Sequence, residues 1–229
     1  QAETKLNTIT LEFQAFNSGI TATGDFQYVL PVIQVGTGSN NRIGDTIKPI
    51  KLVIEGYIAY RMDLTGGTIN DQSRLLGARL FVFQDKATRA YQNNIFNYNL
   101  LDNGSSSESY TGTARNWIQP HNEDQFKWFA DKKFKILKPY GYTNIANGST
   151  ITPAIANMNT TLFHKFKITI PSSKMPASIR YDSTDSTSTP INFCPMLALG
   201  YSDLMNYSAD TLTTQLGMSY RSTLYFKDC

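Results

Sequence analysis

Few residues in this chain carry the tools of covalent chemistry, and their spacing does not gather them. There are two histidines, His121 and His164. His164 falls on the apolar side of a strand-like pattern, where a packed or partly buried side chain is expected rather than a base or ligand. Cys194 and Cys229 lie in separate segments, too far apart to form a paired metal-ligand motif. A disulfide between them is not readable from spacing. No Gly-x-Ser-x-Gly elbow and no His-Glu-x-x-His helix occurs. Gly36-x-Gly38 lacks both the third glycine of a dinucleotide loop and the Lys-Ser/Thr of a phosphate loop. Carboxylates are scattered, although distant loops can still bring them together. The pattern points away from an enzyme, and no metal or cofactor is expected.

The basic residues are more informative. Lys132, Lys133, Lys135 and Lys138 come from one strand-like segment, and Lys165 and Lys167 from another. Lys133/Lys135 and Lys165/Lys167 each alternate with apolar residues. If the two segments share a sheet, these four lysines form a basic strip able to neutralise phosphates without reading sequence. The other reading is solvated lysines that keep a sheet soluble and its edges unpaired.

The third feature is a loop, Gly36-Thr37-Gly38-Ser39-Asn40-Asn41-Arg42-Ile43-Gly44-Asp45, between two apolar runs. Its three glycines are expected to supply positive φ angles, and its asparagines tolerate the same conformation. On local chemistry alone it is a tight turn carrying a solvated arginine.

These residues must be positioned by strands. Aromatics make up 12% of the chain and charged residues only 17%, with Thr, Ser and Asn together about a quarter. That is a composition of strands and loops rather than helices. Thr8 to Phe16 alternates, with Ile9, Leu11, Phe13 and Ala15 expected on one face. Phe26 to Val35 reads as extended, with Pro31 at an edge or bulge. Leu52 to Arg61 is apolar on both faces, as for a strand covered on each side. Ala78 to Gln84, Phe126 to Leu137, Thr161 to Ile170, Ile191 to Gly200 and Met218 to Lys227 complete seven or eight strands. Tyr91 to Leu101 is ambiguous and could hold a short helix. Polar, turn-rich loops are expected at 102–116, 140–160 and 182–190, and Leu64 to Ser73 also reads as a loop. No alternation with helices appears, which leaves a β-sandwich, barrel or jelly roll.

Net charge is +3, which permits an anionic partner without demanding one. No apolar run approaches the length of a membrane-spanning helix, and no signal peptide is visible. Sequons at Asn103, Asn147, Asn159 and Asn206 would matter only in a secreted protein.

The loop carries one thing more. Gly36-Thr37-Gly38-Ser39-Asn40-Asn41-Arg42-Ile43-Gly44-Asp45-Thr46-Ile47 resembles the Gly-Thr-Gly-x-x-x-Arg-Ile-Gly-x-x-Ile signature of viral jelly-roll coat proteins. The match is to capsid proteins of circovirus-like, Rep-encoding circular single-stranded DNA viruses. Trp128 to Leu137 resembles that family's mid-chain strand, an aromatic/aliphatic-x-Asp-basic-x-aromatic pattern. The resemblance implies an all-β, single viral jelly roll over residues 1–229, built of two packed antiparallel four-stranded sheets with long loops. It implies a subunit that self-assembles into a small icosahedral shell, packages single-stranded DNA, and resides in the virion and, during assembly, the host nucleus. An Arg/Lys-rich arm upstream of Gln1 is expected to make most genome contacts, with Lys133, Lys135, Lys165 and Lys167 secondary. Gly36, Gly38, Arg42, Ile43, Gly44 and Asp45 are expected to form a structural or assembly motif, with Arg42 held by backbone carbonyls or an acidic partner. The alternatives are a coat protein of a small RNA virus or satellite, and a secreted jelly-roll carbohydrate-binding module stacking sugars on Trp117 and Tyr140. A small β-rich hydrolase is a third.

Overall fold

In the computed structural model, the described residues are 3–60, 74–90, 98–138, 163–182, 189–205 and 215–229. The loops expected at 64–73 and 140–160, most of 91–101 and of 182–190, Tyr140, and the sequons at Asn147, Asn159 and Asn206 lie wholly or largely outside them.

One sheet runs β1 (Lys5–Phe16), β11 (Leu216–Asp228), β3 (Thr46–Tyr60), β8 (Phe163–Pro171), with the short β9 (Ile179–Arg180) pairing the start of β3. The second runs β2 (Phe26–Tyr28), β10 (Met196–Asp203), β4 (Arg74–Asp85), β7 (Phe126–Lys138). Every pairing along both paths is antiparallel. Among the eight strands of the two paths, first pairs with last and second with next-to-last. The third pairs with β8, and the two middle strands, β4 and β7, pair with each other. A long antiparallel ribbon folded over on itself gives this order, and it is the connectivity of a jelly roll.

Alternation drives the packing. Met218, Tyr220, Leu224 and Phe226 of β11, Leu52, Ile54 and Ile58 of β3, and Phe166, Ile168 and Ile170 of β8 point inward. They meet Leu76, Ala78, Leu80 and Val82 of β4 and Phe134 and Ile136 of β7 in one core. Buried hydroxyls tie the layers: Tyr220 donates to the Tyr28 carbonyl at 2.8 Å and Tyr201 to that of Phe16 at 2.7 Å.

Several expectations need correction. The β1 register slips between Leu11 and Gln14, a bulge that inserts an extra residue. Phe13 and Ala15 therefore leave the face of Ile9 and Leu11, and Phe13 is 43% exposed. Only Phe26–Tyr28 of the Phe26–Val35 segment forms a strand, at a sheet edge, while Val35 makes an isolated bridge to Arg42. The strand predicted over 191–200 is shifted to Met196–Asp203, where all eight residues are buried. β3 is not covered on both sides; Val53, Glu55 and Tyr57 are half-exposed. The doubly covered sheet is the other one. Phe81, Phe83, Phe126, Met196 and Ala198 pack on its outer side beneath Leu100, Leu101 and Tyr110. The cover is the segment 98–122, read in part as an exposed polar loop. It holds a hairpin, β5 (Leu101–Asp102) with β6 (Ser107–Glu108), and a short helix, α1 (Ala114–Ile118). Its tip is closed by the Asn103 side chain, which accepts from the amides of Ser105 and Ser106. Tyr110 lies so close over Gly200 that a Cβ there would meet its ring at 2.7 Å.

Candidate functional site

The Gly-Thr-Gly…Arg-Ile-Gly segment joins β2 to β3 and sits at one end of the first sheet. Its arginine is not solvated: Arg42 is 1% exposed. Its Nε donates to the Ile33 carbonyl at 3.1 Å, and Nη1 donates to the Gly44 carbonyl and to Asp45 Oδ1, the latter at 3.2 Å. The guanidinium lies over the Tyr181 ring, 4.3 Å from its centroid. Burial pushes the Tyr181 phenol upward, with the Arg42 charge opposing. The backbone closes on itself through Gly36 N–H to Arg42 O and Arg42 N–H to Gln34 O, both at 3.0 Å.

Only one of the three glycines takes a positive φ, Gly44 at 80°. At Gly36 the φ is ordinary, and a Cβ there would meet Asn41 Nδ2 at 2.3 Å, so a larger residue would have to displace the end of the Asn41 side chain. The terminal strands hold the loop from outside. Lys5, 7% exposed, donates to the Asn41 carbonyl at 3.0 Å and pairs with Asp228 at 2.7 Å. Asp228 accepts from the Ile43 amide at 2.9 Å. Partial burial works against the Asp228 carboxylate, but Lys5 and the Ile43 amide hold it below its usual range. Ile43 itself is 57% exposed, an apolar side chain projected outward by a fixed frame.

A second buried arginine was not singled out by sequence. Arg79 of β4, also 1% exposed, points to the outer side of the second sheet. It grips Asp131 of β7 with Nε and Nη2 at 2.8 and 2.6 Å, and donates from Nη1 to the carbonyls of Asn116 and Gln119, both at 2.7 Å. Burial disfavours the Asp131 carboxylate, yet the bonds and charge of Arg79, with His121 adding to them, keep it below the usual carboxylate range. His121 Nδ1 is 3.1 Å from Asp131, and its ring packs on Trp128 at 4.5 Å. Among the described residues this is the one place where histidine and carboxylates meet, and Arg79 already occupies Asp131 at two points. No group of His, Cys, Asp or Glu among the described residues could hold a metal ion. Cys194 is buried, with its Sγ 3.8 Å from the Met196 sulfur, Cys229 is exposed, and the two form no disulfide.

The four lysines do not form one strip. Lys133 and Lys135 are on β7 of the second sheet, Lys165 and Lys167 on β8 of the first, and both pairs face away from the shared core. The sandwich therefore separates them. Lys133 and Lys135 flank Trp117 of α1, with Nζ 5.9 and 5.8 Å from its ring. Lys167 is 2.5 Å from Glu55. Trp117 is half-buried, donating from Nε1 to the Ala78 carbonyl at 3.3 Å, so it serves as part of the cover rather than as a free stacking ring. His164 shares the side of Phe166 and packs edge-on against Phe134 at 4.3 Å, but is exposed rather than buried.

No protein-family model and no curated protein matches the sequence. Among solved structures, the chain is similar to the infectious bursal disease virus VP2 subviral particle, with a TM-score of 0.21 and 11% identity. That alignment covers 99% of this chain and 41% of the other. The jelly-roll assignment stands on strand connectivity alone.

Of the residues expected to matter, the loop motif is brought together and the lysines are not. Asp131 was read only as part of the Trp128–Leu137 pattern, and its pairing with Arg79 went unread because an arginine in an apolar strand and an aspartate 52 residues later carry no shared local pattern.

Proposed function

We propose that this protein is a viral capsid subunit that self-assembles into a small icosahedral shell and packages single-stranded DNA, working by association rather than catalysis. The observation that carries the reading is the position of the coat-protein-like loop. It spans the β2–β3 connection of a jelly roll, with Arg42 buried and both chain-terminal strands gripping it through Lys5 and Asp228. A rigid corner that projects Ile43 outward is suited to repeated contacts between identical subunits. Jelly rolls also serve as lectin domains, so fold alone does not select a capsid. Of the two aromatic residues assigned to sugar stacking, Trp117 is engaged by Ala78 and the cover, which weakens the carbohydrate-module alternative. Residence in the virion, with passage through the host nucleus, follows from the same reading.

Negative-stain microscopy of the purified protein tests this directly. Uniform small shells are expected, and nuclease-sensitive DNA inside them identifies the genome type. A monomer that persists at high concentration in every buffer overturns the assignment.

A further inference from the structure

The outer side of the first sheet carries an arrangement that the loop motif does not explain. The β1 bulge turns Phe13 onto this side, and its ring reaches across β11 at Gly217, where a Cβ would meet the ring at 2.2 Å. Glycine at 217 thus clears the path to Tyr57 of β3, whose ring stacks on Phe13 at 6.0 Å and 14°. Phe163 of β8 continues the row, stacked on Tyr57 at 4.9 Å and 29°. Three rings therefore run across all four strands, and the two at its ends, Phe13 and Phe163, are 43% and 42% exposed.

Cations extend from this row along the strands. Lys165 stands directly opposite Tyr57, and Lys167 and Arg221 flank Glu55 in the next row. Further along, Lys51 lies over Tyr225, 4.6 Å from its ring. Beyond it Lys48 and Lys227 are directly opposed, a like-charge pair that is unfavourable unless an anion lies between. Of these six cations, Lys167 and Arg221 share Glu55, at 2.5 and 3.8 Å. From Tyr57 to Lys48 the path is about 30 Å at roughly 3.4 Å per residue.

Stacking rings at one end and a line of cations leading from them is the combination that holds single-stranded nucleic acid: bases on the rings, phosphates on the cations. We propose that the outer side of the β1–β11–β3–β8 sheet is a binding platform for single-stranded nucleic acid, with Phe13, Tyr57 and Phe163 stacking bases. In an assembled shell this sheet then faces the interior. Naming the bound strand as the packaged genome rests on the capsid reading; the platform itself rests on these residues. A neutral glycan would use the rings but has no need of the cations.

The test is fluorescence anisotropy with labelled dT20 across a salt series, on the whole chain. Phe13→Ala and Phe163→Ala, both at exposed positions, are each expected to weaken binding about tenfold. Phe13→Leu, which keeps the apolar bulk but loses the π face, is expected to weaken it nearly as much as Phe13→Ala. Lys165→Gln and Lys48→Gln are each expected to lower the log–log salt slope by about 0.7. Unchanged dT20 affinity in both ring variants, with circular dichroism and melting intact, overturns the platform, as does loss of binding in the lysine variants alone. Ring-dependent binding of cellohexaose equal to that of dT20 overturns it in favour of a glycan site. Shell formation is scored separately by microscopy. Ring-dependent dT20 binding without shells supports the platform and rejects the capsid reading; shells with ring-independent binding do the reverse.

Discussion

Arg42 and Arg79 are equally buried, each 1% exposed, but they join very different lengths of chain. The oxygens bonded by Arg42 lie two, three and nine residues away, in Gly44, Asp45 and Ile33. Those bonded by Arg79 lie 37, 40 and 52 residues away, in Asn116, Gln119 and Asp131. Their counter-charges differ as well, since the Asp45 side chain is 50% exposed and that of Asp131 only 15%. Arg42 thus shapes one loop, with Tyr181 as its main distant contact, whereas Arg79 fastens a whole segment over a sheet. Burial of a cation says little about what it stabilises; the separation and solvation of its partners say much more.

The sharpest way to break this contrast is Arg79→Ala. It would leave the Asp131 carboxylate buried without its bidentate partner and strip two carbonyls of their donor. A loss of about 3–5 kcal/mol is expected in urea denaturation, and a loss below about 1 kcal/mol, the range of an exposed pair, would show that the cover is held by its apolar contacts alone. Replacing the pair together, as Arg79→Met with Asp131→Leu, is expected to recover the part of that loss due to the unpaired Asp131 charge, while the carbonyls of Asn116 and Gln119 still lack their donor.

Acid provides a smaller and reversible version of the same test. The folded-state pKa of Asp131 is depressed, so its stabilising contribution is fully present above the unfolded value near 3.8 and is lost as pH falls through the lower folded value. Stability should therefore drop on acidification below about pH 4, and Asp131→Asn should flatten that part of the profile. Asp45→Asn should cost less than about 1 kcal/mol at neutral pH, because that carboxylate is half in water. An Asp45→Asn loss at neutral pH equal to that of Asp131→Asn would erase the distinction between the arginines.

How much of this was legible beforehand follows the same division between local and distant. The inward faces of β8 and β11 were readable because a period of two is written in consecutive residues. The loop around Arg42 was readable as a sharp turn, since glycine and asparagine mark turns by their own conformational preferences. Phe13 was assigned to the wrong face because a bulge adds one residue without any change in side-chain pattern. The lysine pairs were legible strand by strand, but which sheet each strand joins depends on the jelly-roll connectivity, and that put β7 and β8 in different layers. The aromatic row was hidden for both reasons, since it needs the bulge, the gap at Gly217 and a β3–β8 pairing bridged by no short turn.

The smallest expected effect is the most discriminating. Arg42→Ala should cost about 1–2 kcal/mol, since it removes donors to local carbonyls but strands no buried charge. Hydrogen exchange should accelerate at the amides of Gly36, Asn41 and Ile43, whose acceptors are Arg42, Gly38 and Asp228. The amides of Asn116 and Gln119, in the segment held by Arg79, should keep their protection. Affinity for dT20 should stay within about twofold, because Arg42 is buried at the loop and makes no part of the aromatic row. Shell formation should fall, because the frame that projects Ile43 is loosened. A variant that retained loop protection and shell formation but lost DNA affinity would move Arg42 from the corner to the genome, and the assembly role of the loop would have to be abandoned.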